Sequence, residues 1–198
     1  MMITVDDNPV SLVELLWIRE AWGLQPRRND DHPPLLVDSP GLPMNDDEEF
    51  DIGVWEAAWP DIWTAVLRHA GEERDPGLLD AVRSTADNSA ERADLIAQIT
   101  GPSWRDRFGG AGLDELYQAW TASRFRERVA RPHTSFEDQP ERRSLDALTV
   151  AWRSGLTKIV TIPCRGEFAR TIGEHTLLTT DATRSDVDTY SAALRQFG

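Results

Sequence analysis

The chain has 198 residues, with 21 Lys and Arg against 34 Asp and Glu, and its formal net charge is -13 at pH 7. This length suits one well-buried domain, and so negative a charge opposes binding to polyanions such as nucleic acid. The single cysteine excludes an intramolecular disulfide and fits a reducing cytoplasm. No apolar stretch approaches the ~20 residues of a membrane helix, and the first ten residues lack the pattern of a secretory signal. We therefore expect a cytoplasmic protein.

The predicted fold is mainly helical over the first 140 residues. Residues 11–22 carry an apolar stripe, a capping box made by Ser11 and Glu14, and a glycine at the end. Five prolines predict a loop over residues 25–46. Further helices are predicted over residues 48–70, 75–86, 89–99 and 113–130, the first of them broken into two pieces at Pro60.

The last third of the chain has a different pattern. After a polar linker over residues 131–143, a helix is predicted over 144–154 with Ser144 as its cap, followed by strands over 156–162 and 176–180. A final helix is predicted from Ser185 to residue 197. We therefore expect a mainly helical α+β protein, a single domain over residues 1–198. Its helical part (1–140) would pack against a small C-terminal α-β-β-α unit (144–198).

Ten carboxylates and no Lys or Arg lie between Arg28 and Arg68. Such a block repels itself and repels phosphate, so it requires a solvated face, a cation or a basic partner. The run from Asn45 to Asp51 lacks the spacing of an EF-hand loop, which favours an acidic helix N-terminus over a calcium site. We predict that five of these carboxylates contact a basic protein: Asp46, Asp47, Glu48, Glu49 and Asp51.

Trp55, Trp59 and Trp63 recur at helical spacing within the same acidic stretch. One interpretation is an aromatic groove for a peptide, a base or a sugar. The other is a stripe of core residues on one buried helix face. The pattern favours the core, because three tryptophans on one face carry more apolar area than a monomer usually leaves exposed.

A catalytic alternative centres on Cys164, which follows a predicted strand and precedes Arg165. A neighbouring arginine can lower the pKa of a thiol and so favour a nucleophile, with His175 as its base and Asp181 orienting that histidine. The spacing of the three residues is generic. A lone cysteine after a strand is more often a small buried hydrophobe, so we predict an unreactive structural thiol.

Two further groups of residues resemble functional sites. His69 with Glu72 and Glu73 resembles a metal trio, but no paired-histidine spacing accompanies it, and no metal site is predicted. Arginines and aromatic residues alternate in the middle of the chain, as on nucleic-acid-binding surfaces. Acidic residues lie among them and the net charge opposes a polyanion, so no nucleic-acid binding is predicted. Nucleotide-binding and hydrolase motifs are missing from the sequence, and no cofactor is expected.

Two classes of function remain. The first is a non-catalytic acidic binding protein, inhibitory in the manner of an immunity protein or antitoxin, that covers a basic partner surface. The second is a small hydrolase or transferase that uses Cys164, His175 and Asp181, or the carboxylates around His69. A pocket with two converging titratable groups would favour the enzyme, and a flat acidic face with exposed tryptophan would favour the binding protein. The charge pattern favours the binding protein.

Overall fold

The computed structural model of the chain describes residues 1–26, 32–40, 50–73, 75–130 and 135–197. Helices account for 54% of it, so the expected mainly helical α+β fold is confirmed. The helices in the described parts are α1 (Val10–Ala21), α2 (Ile52–Gly71), α3 (Leu78–Ser84), α4 (Ala90–Thr100), α5 (Arg105–Phe108), α6 (Glu115–Ala130), α7 (Pro140–Arg143), α8 (Leu145–Arg153), α9 (Asp181–Ser185) and α10 (Val187–Arg195). The strands are β1 (Thr4–Asp6), β2 (Lys158–Ile162), β3 (Ala169–Ile172) and β4 (Thr176–Thr180).

The four strands form one mixed sheet in the order β1-β2-β4-β3. β2 is parallel to both β1 and β4, and β3 lies antiparallel to β4 at the edge. Every residue of β2 and β4 is buried, as expected for central strands of a sheet that is covered on both faces. β4 has the predicted bounds, whereas β1 and β3 were not predicted.

Alternate residues of the central strands point to opposite faces of the sheet. Val160 and Leu178 join a large core with α1 and α2, and Ile159 and Leu177 join a smaller core with α8 and α10. The sheet therefore lies between two helical layers. None of the described helices is long and apolar enough to cross a membrane.

The tryptophan stripe of α2 lies in the large core. Trp55, Trp59 and Trp63 are at most 3% exposed, so the core interpretation is confirmed and the groove interpretation is wrong. The prediction of a break at Pro60 is also wrong, because α2 continues through this residue. An internal proline costs about 3 kcal/mol of helix stability. Burial of Trp59 and Trp63 offsets this cost, since each buried side chain contributes roughly 1.5–3 kcal/mol to the stability of the fold.

The helix caps differ from the predicted ones in two of four cases. Ser89 caps α4 as predicted, accepting a hydrogen bond from the Arg92 amide at 3.1 Å. α1 instead begins after Pro9, so Ser11 lies within the helix and no capping box forms. Ser144 is the N-cap residue of α8, as predicted, although its side chain makes no cap hydrogen bond. Asp186, rather than Ser185, caps the last helix through the amides of residues 188 and 189.

Candidate functional site

The predicted partner-binding carboxylates fall largely outside the described residues. Asp46, Asp47, Glu48 and Glu49 lie in the gap between residues 40 and 50, and their contact with a partner stays a prediction. Asp51 is described and exposed, and its Oδ1 accepts a hydrogen bond from the Val54 amide at 3.1 Å. Asp51 is therefore the N-cap of α2, as the acidic helix N-terminus interpretation requires.

The structure separates His175 from the other two residues of the cysteine-based alternative. Cys164 follows the C-terminal end of β2, and Asp181 directly follows the C-terminal end of β4. His175 precedes β4, so it lies at the opposite end of this parallel pair, where its carbonyl oxygen accepts a hydrogen bond from the Thr157 amide. The five residues of β2 alone span about 13 Å. A nucleophile–base pair between Cys164 and His175 is therefore not formed.

Cys164 itself is buried, as the structural interpretation predicted. It is 0% exposed, and its backbone pairs with Leu36 in an isolated bridge. Burial raises the pKa of the thiol to about 12, and the charge of Arg19 lowers it only in part. A thiol with so high a pKa carries almost no thiolate at neutral pH.

A cleft of about 1080 Å³ lies between α1, the C-terminal end of α2 and the pair α3–α4. Neither α3 nor α4 has a buried residue, so this pair forms one wall of the cleft without contributing to the core. Five carboxylates and one arginine lie among the cleft-lining residues that the structure describes: Glu14, Glu72, Glu73, Asp75, Asp106 and Arg105. The cleft is therefore acidic as well as large enough for a ligand group.

Glu14 is the most deeply buried charged residue of the cleft. It is 4% exposed, and its Oε2 lies 3.2 Å from Nε of Arg105, whose side chain is 51% exposed. The other oxygen, Oε1, is buried and has no hydrogen-bond partner among the described residues. Burial raises the pKa of Glu14, although the Arg105 guanidinium lowers it in part. Burial and the Glu14 charge together raise the pKa of nearby Tyr117 to about 12.

Glu20, a second buried carboxylate on α1, has hydrogen-bond donors for both of its oxygens. The Glu20 side chain is 4% exposed, and its oxygens accept hydrogen bonds from the Leu36 amide at 2.6 Å and the Ser39 hydroxyl at 2.7 Å. Arg19 donates to Glu20 as well, at 3.3 Å. Glu20 thus anchors residues 32–40 as a structural group. The Glu14 side chain is 6% exposed, and among the described residues its one hydrogen-bond contact is with Arg105, so its carboxylate is less completely paired than that of Glu20.

His69 lies in the cleft wall with both ring nitrogens engaged. Nδ1 is 3.2 Å from Oε2 of Glu72, and Nε2 is 3.3 Å from the carbonyl oxygen of Ile99. Gly101 ends α4 with a φ of 66° and packs against the imidazole so closely that a Cβ there would overlap the ring. His69 therefore joins α2 to the end of α4 and offers no free nitrogen to the cleft.

Metal binding finds no support at this cleft. His69 and Glu72 contact each other, but within the part of the chain that the structure describes no three His, Cys, Asp or Glu side chains converge as a metal site would require.

The sequence drew attention to His69 with Glu72 and Glu73, which line the cleft. It did not indicate that Glu14 lies in the same cleft as a buried carboxylate. The spacing of Ser11 and Glu14 fits a capping box. In the structure α1 begins at Val10, so Glu14 lies two residues further into the helix than that pattern predicts, and it pairs with Arg105. An unpartnered buried oxygen has no signature in the sequence. Only the packing of α5 against α1 reveals it.

Comparisons with known proteins give no relative for this chain: no family model, no curated protein and no solved structure matches it.

Proposed function

We propose that this chain is a non-catalytic acidic binding protein, inhibitory in the manner of an immunity protein or antitoxin, that engages a basic surface of a protein partner. The observation that supports this proposal is the acidic cleft, whose described lining has five carboxylates and one arginine. The most buried of these carboxylates, Glu14, has no partner for Oε1 among the described residues. A basic surface would complement this charge and would speed the association of the two proteins.

The acidic segment that precedes α2 in the sequence would also contact the partner. Asp46, Asp47, Glu48 and Glu49 precede Asp51 in the sequence, and Asp51 is exposed at the helix N-terminus. Glu56 and Asp61 follow on α2, with Asp61 exposed. This row of acids gives a partner a second point of contact, separate from the cleft.

The alternative of a small hydrolase or transferase has weaker support. Two titratable groups, Glu14 and His69, line the cleft, and an enzyme would require two that converge. Both nitrogens of His69 already contact protein oxygen atoms, so neither is free to contact a substrate. Cys164 and His175 lie at opposite ends of the sheet. Glu14 alone does not make a catalytic constellation.

Partner capture from the native host tests the proposal. Immobilised wild-type protein is incubated with lysate at low salt and at high salt, and the retained proteins are identified by mass spectrometry. We expect a protein with a basic surface to be retained at low salt and released at high salt, because exposed charges are screened beyond about 8 Å at physiological ionic strength. Retention of non-basic proteins alone, or retention that salt does not change, would contradict the proposal.

A further inference from the structure

We propose that the cleft receives one cationic side chain, an arginine or lysine of the basic partner, whose charged head pairs with Glu14 and whose aliphatic stem lies on the apolar wall. This inference rests on the proposed function and names the group that the cleft recognises. It goes beyond general charge complementarity because it assigns one pocket and one carboxylate.

Glu14 is incompletely paired within the described part of the chain. A buried polar atom without a partner destabilises the protein, and more so when it is charged. Oε1 of Glu14 is buried and has no hydrogen-bond partner among the described residues, so the ion pair of Oε2 with the half-exposed Arg105 leaves the carboxylate incompletely compensated. A cation that enters the cleft beside Arg105 adds a second favourable charge interaction with this carboxylate. The fully paired Glu20 on the same helix shows that burial alone does not leave a carboxylate unpartnered.

The described side chains around Glu14 are mainly acidic. Arg105 has a half-exposed side chain and one identified carboxylate partner, Glu14. Asp106 and the acids at the end of α2 lie at the same cleft. An anionic ligand would be repelled by these carboxylates, and a neutral ligand would leave the buried charge uncompensated. A second cation beside Arg105 compensates both Glu14 and the acids of the rim.

Part of the cleft wall is apolar. Val10 of α1, Leu79 of α3 and Pro102 after α4 present apolar surface to it, and Leu79 is 59% exposed. Arginine and lysine carry three or four methylene groups that cover such surface while the charged head stays at a polar site. The cleft therefore combines the two features that a long cationic side chain needs.

Small probes test the inference without the partner. The probes are the N-acetyl amides of arginine and lysine, with the corresponding amides of citrulline, a neutral isostere of arginine, and norleucine as controls. Binding is followed by ¹H–¹⁵N NMR titration, with the backbone amides of Gly101 and Ser103 as reporters in the cleft. We expect the two cationic probes to shift these amides and bind at least about 10-fold more tightly than the neutral ones, because a hydrogen bond to a charged group contributes about 1.5–3 kcal/mol.

Variants locate the interaction at Glu14. Glu14→Gln keeps the shape and removes the charge, and we expect it to weaken binding of the cationic probes about 10-fold. Asp188→Asn removes an exposed charge outside the cleft and is expected to leave binding unchanged. Urea denaturation of each variant shows whether it remains folded. If Glu14→Gln does not fold, Asp106→Asn gives a second measurement, because it removes the charge of an exposed residue of the rim and keeps a side-chain oxygen that can accept from the Ser103 amide.

The outcomes separate this inference from the proposed function. Equal affinity for the arginine and citrulline probes, or cation binding that Glu14→Gln and Asp106→Asn both leave unchanged, would overturn the inference. A captured partner that binds Glu14→Gln as tightly as wild type would also overturn it, while leaving the proposed function intact. Cation-selective binding that Glu14→Gln weakens supports the inference, even if no basic partner is captured and the proposed function fails.

Discussion

Nε of Arg105 lies 3.2 Å from Oε2 of Glu14, and this contact joins α5 to α1 across 91 positions of the chain. The two partners have unequal surroundings, since the Glu14 side chain is 6% exposed and that of Arg105 is 51% exposed. A pair of this kind does not fully compensate the burial of its carboxylate. The pair therefore leaves an acidic group at the floor of the cleft whose charge depends on pH.

Glu14 is expected to make the protein more stable as the pH is lowered toward the ordinary pKa of a glutamate. Burial raises the pKa of Glu14 above 4.5, so the folded state keeps this proton to a higher pH than the unfolded state. Its contribution to stability is present below pH 4.5 and is lost as the pH rises through the folded pKa. Urea denaturation of wild type and Glu14→Gln should show wild type gaining stability relative to the variant between about pH 8 and about pH 4.5. A difference that does not change with pH would mean that Glu14 is not desolvated.

Glu141 is expected to show the opposite dependence on pH. Burial raises its pKa, but the hydrogen bonds and charge of Arg184 lower it more, so the net shift is downward. Arg184 holds the carboxylate in a bidentate contact at 2.8 and 2.9 Å, and the Tyr190 hydroxyl donates to it at 3.1 Å. The stability that Glu141 contributes is therefore present above pH 4.5 and lost as the pH falls below it. The stability advantage of wild type over Glu141→Gln should shrink from about pH 6 to about pH 3.5. An advantage that grows on acidification would contradict this assignment.

Replacing Trp59 by alanine is expected to destabilise the protein by about 3–5 kcal/mol. Trp59 is 0% exposed, stacks on Trp63 and donates a hydrogen bond from Nε1 to the Leu15 carbonyl oxygen at 2.8 Å. Trp152→Ala serves as the control, because Trp152 is 38% exposed and its loss is expected to cost far less. Urea denaturation measures both changes. A midpoint for Trp59→Ala within error of wild type would show that this tryptophan does not hold the core together.

Cys164 is expected to react slowly with iodoacetamide in the folded protein at neutral pH. Its side chain is fully buried, and burial raises the pKa of the thiol to about 12. The urea-unfolded chain is the control and should be labelled at the rate of a free thiol with a pKa near ~8.5. Rapid labelling of the folded protein would show that the thiol is accessible and ionised, and would restore Cys164 as a candidate nucleophile.

Local sequence signals predicted those parts of the fold that depend on local contacts. Ser89 caps α4 and Gly101 ends it with a left-handed φ, both as the sequence suggests. The periodic tryptophans predicted a buried face of α2, and the strand predicted over residues 176–180 has the bounds of β4. In these cases the physical cause lies within a few residues of the pattern.

Features that depend on distant partners were missed. β1 has three residues, too few for an alternating pattern, and exists because it pairs with β2 more than 150 positions later. Pro60 breaks no helix, because burial of Trp59 and Trp63 offsets its cost. Glu14 fits a cap in the sequence and lies on the cleft floor in the structure, because Arg105 pairs with it from another helix. Neither the chain order nor the residue type reveals such pairings.

The acidic segment is expected to steer a basic partner onto the protein. The relevant variant changes Asp46, Asp47, Glu48, Glu49 and Asp51 to their amides. The fold should persist, because asparagine at position 51 can still cap α2 through its side-chain oxygen. Circular dichroism and urea denaturation check this before any binding is compared.

The central claim, that acidic surface recognises a basic partner, is tested most directly by the association rate constant of the captured partner measured at several ionic strengths. The account predicts that wild type associates fastest at low salt and slows steeply as salt is added, while the five-amide variant associates about 10-fold more slowly at low salt and responds less to salt. Equal rate constants for wild type and variant, with the same dependence on salt, would contradict the claim.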